Sequence, residues 1–273
     1  MKQGNARILT ALVGLPFVLA LVWLGGWYFF GFIAAVALVA QYELVRMLVG
    51  AGWKVGVVWT IVLGAAILLR SVLPYWEGWI LFTVLSFCVF QLRYGPEHLP
   101  QRLASSILCA VYPVLLLSFL VDIQWAADAS FGQKGAFGLM LMLFGLIWAT
   151  DTGAYYTGKS IGKTKFAPSI SPNKTWEGTV GGLILAIVVA TLFKTAFIPE
   201  LTWLDVFSLA LLGGAWGQMG DLLESAFKRS LGVKDSGSIL PGHGGMLDRF
   251  DSIIFTAPAY YVYLFYVSDL LGR

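Results

Sequence analysis

Residues 176–198 read WEGTVGGLILAIVVATLFKTAFI, a stretch in which Glu177 and Lys194 are the only charges. Wound as a helix, a run of that length crosses the hydrocarbon core of a bilayer, where every backbone amide must find its partner inside the segment. The pattern recurs outward in both directions, at about 8–24, 27–49, 53–70, 76–92, 103–121, 136–157, 203–226 and 252–271. With 58% hydrophobic residues, 12% charged ones and a mean hydropathy of +0.79, the chain excludes an ordinary soluble domain. The expected fold class is all-α, a polytopic integral membrane protein of about nine transmembrane helices. The third and fourth spans are the weakest, because Gly64, Arg70 and Pro74 interrupt them and suit a tilted or re-entrant segment.

Lysine and arginine are retained on the cytoplasmic side of a membrane, while acidic residues weigh little. With the N-terminus inside, fourteen of the eighteen basic residues fall at cytoplasmic ends, and only Arg70, Lys134, Lys194 and Arg273 fall outside. That asymmetry predicts a cytoplasmic N-terminus and an odd span count. The first apolar run shows no small-residue cleavage site and reads as a span, not a signal peptide. Cys88 and Cys109 fall inside predicted spans, which leaves neither a disulfide framework nor a zinc site. The net charge of +3 lies mostly on the cytoplasmic face and suits anionic headgroups or phosphates; no nucleic-acid partner is expected. In the first half, Glu43 and Arg46 stand three apart at a span end and read as an interfacial ion pair. His98, in YGPEHLP, reads as a solvated loop residue.

Chemistry concentrates between the last two spans. Residues 225–251, SAFKRSLGVKDSGSILPGHGGMLDRFD, hold four basic side chains, three carboxylates, five glycines and His243. Just upstream, Asp221, Glu224, Ser225 and Lys228 are spaced i, i+3, i+4 and i+7, one polar stripe on a continuing helix. Carboxylates inside a span are costly and by default face a cavity with a partner. Gly244 and Gly245 precede a predicted helix start, whose bare amides would form an anion site, and Asp248 and Asp251 share the first turn of that helix. If Asp221 and Asp248 face each other, their repulsion at contact is ~4 kcal/mol at an effective dielectric of 20. Lys228, Arg229, Lys234 and Arg249 can neutralise it, but hard oxygen ligands beside phosphate-binding groups suit Mg²⁺, with room for a second cation. Asp221 and Asp248 are the expected metal ligands, with Asp151, Glu224 and Asp251 as further candidates.

A second polar loop, ATDTGAYYTGKSIGKTKFAPSISPNKTWEG, spans 149–178. Its 153–160 stretch, GAYYTGKS, spells a Walker A pattern, yet it begins inside the end of a predicted transmembrane helix and lacks the strand that a P-loop needs. Ser171 and Pro172 read as N-cap and N1 of the next helix, which would put Lys174 in its first turn, where a cation favours a nearby anion. Gly178 and Gly182, and Gly213 and Gly217, have small-xxx-small spacing, from which close packing of the seventh and eighth spans is expected. That packing would bring both loops over one cavity. Two acidic clusters, about eight basic residues and access from cytosol and bilayer fit phosphoryl or nucleotidyl transfer to a lipid.

The run Ser225, Phe227, Lys228, Arg229, Lys234, Asp235, Gly237, Leu240, Pro241, His243, Gly244, Gly245, Met246, Asp248, Arg249, Phe250 and Asp251 resembles the motif of the bacterial phosphatidate cytidylyltransferases, the CDP-diacylglycerol synthases. DTGAYYTGKSIGKTKFAPSISPNKTWEG resembles that family's second hallmark, while spans one to five are similar mainly in hydropathy. The resemblance implies CTP and phosphatidate as substrates, Mg²⁺, and the cytoplasmic membrane. It further implies a homodimer, with residues 1–125 as a scaffold for lipid access and dimer contacts. Residues 136–273 would be the catalytic half, with polar loops 151–178 and 221–252 facing the cytoplasm. Asp221, Asp248, Lys228, Arg229 and His243 are the expected catalytic residues. Lys159, Lys163, Lys174, Ser225, Lys234, Gly244, Gly245 and Arg249 are expected to hold substrate phosphates. For His243, donation to the leaving pyrophosphate and a structural bond in the glycine turn are both open. Two rival classes are a polyprenol kinase-like CTP enzyme and an ion-coupled transporter. The transporter fits less well, since its site belongs near the midplane between repeats and this chain shows none.

Overall fold

The computed structural model describes residues 3–239, 244–268 and 270–272. Helices α1 (Gln3–Leu24), α2 (Gly26–Gly50), α3 (Val57–Leu68), α4 (Trp76–Gln91) and α5 (Leu99–Ala110) form the first half. A π-helical turn at Val111–Leu115 leads into α6 (Leu116–Ile161). A short antiparallel hairpin, β1 (Lys165–Ala167) and β2 (Ser171–Thr175), precedes α7 (Trp176–Ala196), α8 (Trp203–Leu211), α9 (Gly217–Ser230) and α10 (Leu247–Val262). Among the described residues, three helical runs are long and apolar enough to cross a bilayer: Gly26–Gly50, Leu99–Ile161 and Trp176–Ala196. The remaining helices fall within or beside the other expected spans but are shorter or interrupted. Residues 122–135, expected as a connection, are largely helical, and the chain breaks direction at Gly132, whose φ of 68° and ψ of 176° are non-helical.

α7 shows how a membrane-length helix is divided. Its buried positions are Gly178, Gly182, Ala186 and Ala190, all small, and its exposed ones include Val180, Ile184, Val188 and Leu192, all branched and apolar. Each set recurs every four residues, so one face lets a neighbour approach and the other is left for an apolar surround. The neighbour is the C-terminal half of α6. A methyl group on Gly182 would come within 2.6 Å of the Thr150 carbonyl, and one on Gly178 within 2.8 Å of that of Ala154. This corrects the expectation that spans seven and eight pack on each other through their glycines, because Gly213 and Gly217 face α6 and α10 instead, against Leu146, Tyr260 and Thr256. Small residues announce a close approach without naming the partner.

The start of α7 is also corrected. Ser171 and Pro172 lie in β2, and Thr175 is the N-cap, its side chain accepting from the Gly178 amide at 3.1 Å. Lys174 therefore sits on the strand, ahead of the helix. At the other end, Lys194 donates to the carbonyls of Pro199 (3.0 Å) and Leu201, a cation where the helix dipole favours one. α9 ends in a Schellman turn, with Val233 N bonded to Lys228 O at 2.9 Å and Gly232 N to Arg229 O at 3.2 Å. Gly232 takes the left-handed position that this turn demands, at φ 71°. The core lies between α2, α6 and α10, where Ala37, Ala40, Leu44, Leu139, Leu146, Ile254 and Ala257 are fully buried.

Candidate active site

The stripe read along α9 is present and faces inward. Glu224 is fully buried, and Lys228, one turn later, places its ammonium 2.5 Å from Glu224 Oε2 and 2.6 Å from Asp248 Oδ1 at the start of α10. Lys228 is the donor nearest Glu224, and among the described residues neither Glu224 oxygen has a further hydrogen-bond partner. Asp248 is far better served. It accepts from Lys228, from the Ser236 amide and hydroxyl (each 3.0 Å to Oδ2), and from the Gly245 amide at 2.9 Å. Burial alone would raise the Asp248 pKa, but the Lys228 hydrogen bond and the Gly245 and Ser236 amides outweigh it and hold the carboxyl below its usual range. Burial likewise opposes the Lys228 charge, and the two carboxylates override it, so its pKa is raised.

Asp221 has its own cation. Lys174, reaching from β2, lies 2.8 Å from Asp221 Oδ2 and 3.4 Å from the Gln218 carbonyl, and Ser225 Oγ donates to Asp221 Oδ1 at 3.3 Å. The hairpin thus closes over α9, as the two-loop reading required, and α7 meets the eighth span directly, with Gly214 against Leu183 and Thr179 bonded to Gln218 at 2.8 Å. Two cavities meet at this point. One of about 420 Å³ is lined by Asp151, Asp221, Lys228, Asp235, Asp248, Arg249 and Asp251, with Trp148 and Ser252. The other, about 300 Å³, is lined by Tyr155, Asn173, Lys174, Thr179 and Gln218 and shares Asp151 and Asp221 with the first. A larger cavity of about 570 Å³ near Trp53, Trp59 and Tyr94 offers Lys54 and Arg102 but no carboxylate, and Arg102 is already bonded to Gln91 and to the carbonyls of Glu97 and Gly95.

Several expected residues stand elsewhere. Lys159 lies over the Tyr155 ring, 5.7 Å from its centre, on an exposed turn of α6, and makes no pair with Asp151. Lys163, Arg229 and Lys234 are exposed and line neither cavity. His243 lies outside the described residues, as do Leu240, Pro241 and Gly242. The Walker-like 153–160 stretch is α6 throughout, as its rejection required. Of the glycine pair, Gly245 gives its amide to Asp248, so the helix start expected to be an open anion site is already occupied by protein carboxylates.

One of those carboxylates was misread. Glu43, on α2, forms no ion pair with Arg46, whose guanidinium instead lies 5.8 Å from the centre of the Tyr42 ring. Glu43 is 2% exposed and accepts from Met246 N (3.0 Å), Leu247 N (2.8 Å) and Ser236 Oγ (3.1 Å). Burying a carboxylate costs several kcal/mol, and hydrogen bonds to a charged group are worth about 1.5–3 kcal/mol each; the two backbone amides offset most of the burial, and the Ser236 hydroxyl adds to that when its proton is turned toward Glu43. The signal in the sequence was a lone acid two turns inside an apolar run. Ser236 and Gln218 were also passed over. Gln218 sits one turn before Asp221 on the same stripe, accepts from Thr179 at 2.8 Å, and leaves its buried Nε2 without a partner beside the smaller cavity.

The larger acidic cavity sets five carboxylates against Lys228 and Arg249. Among the described residues, no three acidic, histidine or cysteine side chains converge tightly enough to hold a metal ion unaided. The donor set still fits Mg²⁺, which takes one or two carboxylates and completes its shell with water and phosphate oxygens. Asp221 is the better candidate of the two expected ligands, since Asp248 already meets four protein donors.

Helices long and apolar enough to cross a bilayer, packed with a polar, acid-rich cavity that holds lysines, suit a membrane enzyme. The chain belongs to the cytidylyltransferase family, which it matches over residues 5–267. It is similar to the phosphatidate cytidylyltransferase of Bacillus subtilis (strain 168), 36% identical over 97% of each chain. It is also similar to that of Brucella abortus biovar 1 (strain 9-941), 34% identical over 100% of this chain and 98% of the other. A 121-residue segment is 52% identical to the phosphatidate cytidylyltransferase of Staphylococcus aureus (strain COL), covering 44% of this chain and 46% of that one.

Proposed function

We propose that this protein is a phosphatidate cytidylyltransferase, converting CTP and phosphatidate to CDP-diacylglycerol and pyrophosphate. The observation that carries the reading is near full-length similarity to proteins of that name, and the composition of the cavity agrees with it. A phosphatidate oxygen attacks the α-phosphorus of CTP and forms the new P–O–P bond. The bond from that phosphorus to the β-bridging oxygen breaks, and pyrophosphate leaves. With a second pKa near 6, a phosphate monoester is largely ionised at neutral pH, so no serine nucleophile is needed and Ser225 serves to orient Asp221.

Charge decides the rest. An acid-lined cavity repels two anionic substrates, and Lys228, Arg249 and Lys174 are too few to reverse that. A divalent cation at Asp221, with Asp151 and Asp251 nearest, would neutralise the triphosphate and the departing pyrophosphate. Lys228, Lys174 and Arg249 orient phosphate oxygens, and Asp248 holds Lys228 in place. In this reading nine spans with a cytoplasmic N-terminus, supported by the bias of basic residues, turn the cavity toward the cytosol of a bacterial inner membrane. The working unit is the homodimer that the family resemblance implies.

The test is release of pyrophosphate from CTP by the purified protein, with and without phosphatidate, under Mg²⁺, Mn²⁺ or chelator. Release that needs both phosphatidate and the cation, with CDP-diacylglycerol formed, is the expected result. Folded protein that releases none under either metal would overturn the reading.

A further inference from the structure

The carboxylate of Glu43 belongs to α2, yet among the described residues its hydrogen-bond partners are Ser236 and the helix start that carries Asp248. It takes the amides of Met246 and Leu247, the unpaired donors at the start of α10, at the positive end of that helix. It also meets Ser236 Oγ, which lies 3.1 Å from Glu43 Oε2 and 3.0 Å from Asp248 Oδ2. One hydroxyl proton serves one carboxylate at a time, so the serine links the two acids. The turn is shaped around this carboxylate. A methyl group on Gly237 would lie 2.5 Å from Glu43 Oε1, and one on Gly245 would lie 2.6 Å from Oε2. Only residues without a side chain admit the acid to that space.

We propose that Glu43 is a positioning residue of the transfer reaction: it fixes Ser236 and the Gly245–Leu247 helix start, and through them the Asp248 carboxylate that holds Lys228 at the cavity. The first half of the chain thereby sets the geometry of a site whose substrate-facing residues lie in the second. This rests on the reading of that cavity as the transfer site. Among the described residues, the hydrogen bonds of Glu43 go to Ser236, Met246 and Leu247 and to no residue lining the cavity, so its removal acts on the placement of Lys228 and Asp248.

The experiment compares the full-length wild type with Glu43→Gln and Glu43→Ala in the same detergent. It measures kcat and KM for CTP per folded enzyme, together with hydrogen exchange at the Met246 and Leu247 amides. Glu43→Gln, which keeps the shape but turns an amide donor toward the backbone donors, should lower kcat at least tenfold. Glu43→Ala should lower it further. KM for CTP should stay within threefold, and both amides should exchange faster. A kcat within twofold of wild type, or a loss explained wholly by a smaller folded fraction, overturns the proposal. If neither variant folds, Ser236→Ala carries the test: it removes the link but leaves both amide bonds, and an unchanged kcat there is equally fatal. A wild type that makes no CDP-diacylglycerol refutes the function, whereas an active wild type with an unaffected Glu43→Gln refutes only this inference.

Discussion

Replacing Lys228 with methionine removes a cation that meets both Glu224 and Asp248. The side chains of Lys228, Glu224 and Asp248 are 12%, 0% and 9% exposed, so water from the cavity reaches Glu224 least. Breaking a buried pair by deleting one partner costs about 3–5 kcal/mol. At about 1.4 kcal/mol per factor of ten, that lowers the ratio of folded to unfolded protein by roughly a hundredfold to several thousandfold. The two acids do not share the loss equally. Asp248 keeps the Ser236 amide and hydroxyl and the Gly245 amide, whereas among the described residues neither Glu224 oxygen has a further hydrogen-bond partner. Most of the penalty therefore belongs to Glu224. Lys228→Met/Glu224→Gln should recover more than half of the lost stability, and Lys228→Met/Asp248→Asn clearly less. Denaturant unfolding in one detergent, followed by tryptophan fluorescence, measures all four proteins. Turnover should remain lost in both double variants, because the phosphate-facing ammonium is gone. Greater recovery with Asp248→Asn would refute the assignment of donors, and restored turnover with Glu224→Gln would remove Lys228 from the chemistry.

The same pair sets a pH dependence. The Asp248 pKa is depressed in the folded protein, so its contribution is present above the ordinary carboxylate pKa of about 4 and fades as pH falls below it. The Lys228 pKa is raised, so its contribution holds below about pH 10.4 and is lost at higher pH. Melting temperatures of wild type and Asp248→Asn should thus differ at pH 7 and converge below pH 4, while the variant has no turnover at either pH. Ser225→Ala removes one long contact to Asp221 and should cost less than tenfold in kcat; complete loss in a folded, substrate-binding variant would require a covalent step. Gly245→Ala forces a methyl first against Ser236 Oγ, at 2.0 Å, and then against both Glu43 oxygens, at 2.6 and 2.8 Å, and should destabilise by about 1–3 kcal/mol with loss of turnover. A stable, active Gly245→Ala would show that the turn does not need the acid where it stands.

What the sequence made legible was local. The polar stripe of α9 follows from spacing along one helix, and the apolar runs from length and composition. The rejected P-loop also follows from position, because its residues continue a helix. The failures share a cause. Thr175 replaced Ser171 as the cap because β2 pairs with β1, a contact that helix signals do not register. The glycines of α7 found α6 because the break at Gly132 folds the second part of α6 beside it. Glu43 sat three residues from Arg46 and invited a local pairing, but the donors it meets are 193 to 204 positions away. No pattern read within a window reaches that far.

That separation has a bearing on how the protein is made. α2 is synthesised and handed to the membrane long before α10 exists, so for some two hundred residues of chain growth Glu43 has none of its native donors. A bare carboxylate within an apolar helix is expensive. The nascent α2 must keep that turn near water or carry the acid protonated until the last helix arrives. Insertion of the second helix and completion of the last are thus coupled in energetic terms, and a ribosome-bound fragment lacking α10 should remain proteolytically open at the C-terminal end of α2.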